Sequence, residues 1–189
     1  MAEFAYTPGQ TVGPFLGLGL PYPGDSDLLD AAHPQAARLH GTVYDGAGVG
    51  VPDALVEIWQ PDSAGGIPRR AGSLRRDGTG FTGWGRSATD AAGHYAFTTL
   101  TPGSARDRRP AFFAIVVFAR GLLDRLFTRA YLPDGDLDAD PLLATVNAGR
   151  RATLLCVAES DSGRRGYRFD IHLQGPNETV FLAYRDDGR

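Results

Sequence analysis

Apolar and polar residues alternate with a period of two along most of the chain. Leu39–Asp45 (LHGTVYD), Ala54–Gln60 (ALVEIWQ), His94–Leu100 (HYAFTTL) and Gly166–Gly175 (GYRFDIHLQG) each place apolar side chains on one side and polar ones on the other, the pattern of a half-buried β-strand. Residues 80–89 (GFTGWGRSAT), 122–132 (LLDRLFTRAYL) and 178–184 (ETVFLAY) read as further strands. Residues 110–121 (PAFFAIVVFARG) form an almost continuous apolar run, which predicts a strand buried on both faces. Between these runs stand DGAGVGVPD, DAAG and GPNE, whose Gly, Pro, Asp and Asn residues mark turns. Roughly eight short strands separated by turn signals predict an all-β protein, a β-sandwich.

The remaining segments fill in the outline. Residues 1–38 are broken by Gly and Pro and read as an extended N-terminal arm, with a short helix expected over 25–32. Phe15, Leu16, Leu18 and Leu20 give the arm apolar surface to bury, either on its own core or on a partner. Residues 39–189 are then the sandwich domain. Residues 61–80 hold few apolar side chains and form a long loop, the kind that commonly serves function. DADPLLATV and NAGRR suggest short helical turns ahead of a strand at ATLLCVAES.

Composition narrows the function classes. The chain has 189 residues, 42% of them hydrophobic, enough for one domain with a sizeable core. A net charge of −3 gives no reason to expect a nucleic acid or an anionic membrane as partner. There is no lysine; every basic residue other than histidine is arginine. The single Cys156 excludes an internal disulfide framework, and its apolar neighbours mark it as a small core residue. The N-terminus lacks the basic start and unbroken apolar run of a signal peptide. No stretch approaches the roughly 20 apolar residues of a membrane helix, so a soluble, cytoplasmic protein is expected.

Candidate chemistry is notable for what is missing. The four histidines, His33, His40, His94 and His172, form no metal-binding cluster in sequence. Two histidines at positions i and i+2 of one strand would project together toward a metal. The strand at residues 112–117 carries Phe112 and Ala114 at that spacing.

LHGTVYDGAGVGVPDALVEIWQPDSAG, TDAAGHYAFTTLTPG, RRPAFFAIVVFARGLLDRLFTRAYL and YRFDIHLQGPNETVFLAY together resemble the intradiol ring-cleaving dioxygenases. The resemblance runs from Thr7 over nearly the whole chain, and VEIWQPDSAG and YRFDIHLQG make it specific. It implies a β-sandwich and a non-haem Fe(III) held by two Tyr and two His. It places the tyrosines at Ile67 and Ala105 and the histidines at Phe112 and Ala114. None of these four side chains can coordinate iron. In family members built of two homologous chains, the beta chain alone holds the iron. The resemblance is strongest to the other, alpha, type, and it implies that this chain binds no metal and acts beside an iron-holding beta subunit. The substrates implied are a carboxylate-bearing catechol and O₂. On the same basis Thr11, Gly13 and Pro14 of the arm, with Arg120, wall the partner's active site. An arginine suits a carboxylate, which it can hold by paired charge-assisted hydrogen bonds. Arg109 matches an arginine that works near the iron and is expected here to be a relic or a structural ion-pair partner; Tyr167 and Arg168 are expected to be structural. Two other readings stay open: a sandwich that only binds or supports, and a homomeric dioxygenase for another catechol.

Overall fold

The computed structural model describes residues 10–13, 15–69, 76, 80–106, 109–161 and 163–183. Two sheets face each other. β1 (Ala36–Tyr44), β4 (His94–Leu100), β7 (Val157–Asp161), β8 (Arg164–Arg168) and the short β9 (Ile171–His172) form one, in the order β4-β1-β8-β7, with β9 also on β1. β2 (Leu55–Trp59), β3 (Trp84–Ala88), β5 (Phe112–Phe118) and β6 (Leu126–Tyr131) form the other, in the order β3-β2-β5-β6. The second sheet is antiparallel throughout, whereas β8 and β9 run parallel to β1. The expected sandwich is therefore present.

Its core is built by the period-two pattern. Leu39, Val43, Tyr95, Phe97, Tyr167, Phe169 and Ile171 point inward from the first sheet, and Val56, Ile58, Phe113, Ile115 and Val117 from the second. Cys156 joins this core, where burial pushes its thiol pKa up to about 12 and removes it from thiolate chemistry. β5 departs from expectation. Phe113, Ile115 and Val117 are buried, but Phe112, Ala114, Val116 and Phe118 alternate with them on a face that is only half-buried. The strand is buried on one face, and its other face is apolar all the same.

Residues 25–32 form no helix. Leu28 inserts fully into the core. Its amide donates to the Thr98 carbonyl and its carbonyl accepts from the Thr82 amide, so the segment ties the open ends of both sheets together. Tertiary pairing overrides a local helical pattern here. The arm's only helix among the described residues is α1 (Leu16–Gly19). Residues 178–183 make one isolated bridge, Phe127–Leu182, and no strand. The expected helical turns are α2 (Pro141–Thr145), capped by the Asp140 carboxylate, and α3 (Ala148–Arg151), capped by Asn147. No helix among the described residues is long and apolar enough to cross a membrane.

Candidate functional site

The loop after β2 and the loop after β4 meet at one end of the sandwich. Asp62 shapes the first. Its Oδ1 accepts from the amides of Ala64 (2.9 Å) and Gly66 (2.8 Å), and its carbonyl accepts from Gly103 at 2.8 Å. Gly65, at φ 89°, lies so close to the second loop that a Cβ would stand 2.0 Å from the Ser104 carbonyl oxygen. Only glycine permits that approach. The loops bearing Ile67 and Ala105 are thus packed against each other, as two ligands of one metal would require. Ile67 is 70% exposed.

The other two positions lie on the half-buried face of β5. Ala114 is flanked by Trp59 on β2 and Arg129 on β6. The Arg129 guanidinium sits 4.3 Å over the Phe112 ring. Its Nη1 donates to Tyr131 Oη (3.1 Å) and to Asp140 Oδ2 (3.3 Å). Tyr131 Oη in turn donates to the same Asp140 oxygen at 2.8 Å. Burial is the main reason the Tyr131 phenol is pushed up to about 12, and the neighbouring Asp140 carboxylate adds to it against the lowering effect of Arg129. No group of three or more His, Cys, Asp or Glu able to hold a metal occurs among the described residues. Ile67, Ala105, Phe112 and Ala114, which stand where the resemblance implies the four iron ligands, carry no side-chain group that coordinates iron.

A second constellation lies at the opposite end of β5. Arg120, two residues past that strand, donates from Nε to Asp53 Oδ1 at 3.1 Å. Asp53 lies in the turn before β2, and α1 of the arm rests on it. A Cβ at Gly17 would come within 3.0 Å of the Asp53 carbonyl oxygen. The arm is held further along by Arg86, whose Nη1 donates to the Leu20 carbonyl (3.1 Å) while Nη2 pairs with Glu57 (2.9 Å). Arm and Arg120 therefore share one edge of the molecule. Thr11 and Gly13 precede α1 and are exposed, and among the described residues neither hydrogen-bonds Arg120. Pro14 lies outside the described residues. Asp53 and Gly17 escaped sequence reading because their relation to Arg120 exists only once the chain has folded.

Other residues singled out by sequence have structural settings. Tyr167 is buried against Phe113 and shares a hydrogen bond with Thr101, and Arg168 pairs with Glu159 and Asp170. Arg109 makes no ion pair among the described residues.

A two-sheet β-sandwich is the fold of solved intradiol dioxygenases. A family model described as "Dioxygenase" matches residues 27–175. The chain is 38% identical to a protocatechuate 3,4-dioxygenase alpha chain from Burkholderia cepacia, over 96% of this chain and 99% of that one. It is 34% identical to the corresponding alpha chain of Pseudomonas putida, over 94% and 96%. A protocatechuate 3,4-dioxygenase beta chain from Burkholderia cepacia is 32% identical over 83% of this chain and 74% of its own. Among solved structures, a dioxygenase domain from Streptomyces sp. SirexAA-E has the same fold, with a TM-score of 0.59 at 24% identity over 79% of this chain and 87% of that one. The protein belongs to the intradiol dioxygenase family, whose enzymes use non-haem iron.

Proposed function

We propose that this chain is the alpha-type, non-metal subunit of a heteromeric protocatechuate 3,4-dioxygenase. The observation that carries the reading is a conjunction. Similarity to alpha chains spans 96% of the sequence, while the four ligand positions hold Ile67, Ala105, Phe112 and Ala114. The complex would insert both atoms of O₂ between the hydroxyl-bearing carbons of protocatechuate, giving 3-carboxy-cis,cis-muconate. The Fe(III) that activates the catecholate would belong to a homologous beta chain.

This chain's contribution is then binding and shape. Arg120 holds the substrate carboxylate, remote from the two hydroxyls. Thr11, Gly13 and Pro14 form part of the wall around the ring. Apolar surface supports a large interface with the partner: Phe15 (78%), Leu18 (76%) and Trp59 (55%) are exposed, and exposed aromatic and aliphatic anchors of this size mark association surfaces. Two homologous chains would pair pseudo-symmetrically, as obligate assemblies do.

Arg120→Ala in the assembled complex tests the binding role. Loss of one charged hydrogen-bond partner should weaken transition-state binding by roughly 1.5–3 kcal/mol, about 10- to 150-fold in kcat/KM, expressed mainly in KM for protocatechuate. Iron content should stay at the unsubstituted level. Unchanged kinetics would remove Arg120 from the site.

A further inference from the structure

We infer that Asp53 is a positioning residue for Arg120, and that it joins the seating of the N-terminal arm to the orientation of that arginine. The inference rests on Arg120 meeting the substrate carboxylate, and deepens that reading.

Asp53 is built to stay in place. It is the one non-glycine residue with positive φ (54°) among the described residues, a conformation that Asp and Asn tolerate far better than most side chains. The turn around it is clamped from β3's end. Thr89 Oγ1 donates to the Val51 carbonyl (2.8 Å) and accepts from the Ala54 amide (2.9 Å), and the Thr89 amide donates to the Ala54 carbonyl (2.8 Å). From outside, α1 closes on the Asp53 backbone through Gly17.

Arg120 has no such support of its own. It stands at a turn completed by Gly121 at φ 89°, its side chain is 53% exposed, and Asp53 is its only hydrogen-bond partner among the described residues. The edge of the guanidinium that Asp53 uses is decisive. Contact through Nε leaves the Nη1–Nη2 edge unengaged, and that edge carries two parallel donors matched to a carboxylate. Asp53 therefore restrains the long side chain without occupying the donors a ligand needs. It lowers the ordering cost that binding would otherwise meet.

The test uses the assembled complex and two substitutions at one position. Asp53→Gly keeps the positive φ without strain and removes the carboxylate. Asp53→Asn keeps both the φ tolerance and a neutral acceptor. Asp53→Gly should raise KM for protocatechuate about fivefold with kcat held, about 1 kcal/mol, the upper range for an exposed pair. Asp53→Asn should restore most of that loss. Inhibition by catechol, which lacks the carboxylate, should be unchanged in both. In an Arg120→Ala background, Asp53→Gly should add nothing, the signature of two residues acting as one unit. If Arg120→Ala raises KM but Asp53→Gly does not, the positioning role is wrong and the carboxylate role of Arg120 survives. If Asp53→Gly weakens catechol equally, Asp53 supports the pocket at large and the inference also fails. If Arg120→Ala leaves KM unchanged, both readings fall.

Discussion

Gly41→Ala should leave little or no folded chain. Gly41 sits mid-β1 where the neighbouring edge changes from β8 to β9. At this break the Phe169 amide donates to the His40 carbonyl (2.8 Å), and the Asp170 carboxylate accepts from the Thr42 amide (3.1 Å) in place of a ladder bond. The Phe169 carbonyl consequently folds inward over Gly41. A Cβ there would stand 1.9 Å from that oxygen and 2.6 Å from its carbon. Neither atom is free to yield, because buried Tyr95 Oη donates to the same oxygen at 2.6 Å. Overpacking ordinarily costs about 1–3 kcal/mol. A clash with fixed backbone belongs to the exceptional class above roughly 4 kcal/mol, a large share of the 5–15 kcal/mol that typically holds a domain folded. Soluble yield and the urea midpoint measure it. An alanine variant with a midpoint close to that of the unsubstituted chain would show that β1 and the 168–171 segment are not packed as described.

Asp140→Ala should be the most costly of the polar substitutions, at about 3–5 kcal/mol. The Asp140 carboxylate is almost fully buried. One of its oxygens accepts from Tyr131 Oη and Arg129 Nη1, and the other from the Leu142 amide at the start of α2. Removing it leaves a cation and a phenol facing each other in a poorly hydrated site and uncaps a helix. Asp140→Asn, which keeps the volume and the cap, should recover part of the loss. Thermal unfolding of the two variants decides the matter, and equal melting temperatures for Ala and the native residue would mean that the Arg129–Tyr131–Asp140 cluster is not a structural lock. Because Arg129 lies over Phe112, the cluster also bears on how this chain fills space where an iron-binding relative would carry histidine.

Much of this was legible in the sequence, for identifiable reasons. Alternation located β1, β2, β4, β6 and β8, because one face of each packs inward and the other meets polar surroundings. Alternation was silent for β5. Its outward residues Phe112, Ala114, Val116 and Phe118 are as apolar as its inward ones, and an unbroken apolar run does not say whether one face or two are covered. Residues 25–32 carry helix-like spacing, yet Leu28 is claimed by the core and its backbone by Thr82 and Thr98, partners more than 50 residues away. The site divides in the same manner. The lack of ligands at Ile67, Ala105, Phe112 and Ala114 is a matter of residue type, and a sequence displays it directly. The pairing of Asp53 with Arg120, and the seating of Gly17 on Asp53, depends on how β2 and β5 lie side by side and on where the arm returns. No local pattern encodes that.

The central claim is that this chain contributes to catalysis only beside an iron-holding partner. The most direct measurement is to express it alone and together with a candidate beta chain, and to determine iron content and protocatechuate-dependent O₂ uptake in each preparation. The expected result is neither iron nor uptake for the chain alone, and both for the co-purified complex. Iron and turnover in the chain alone would contradict the account.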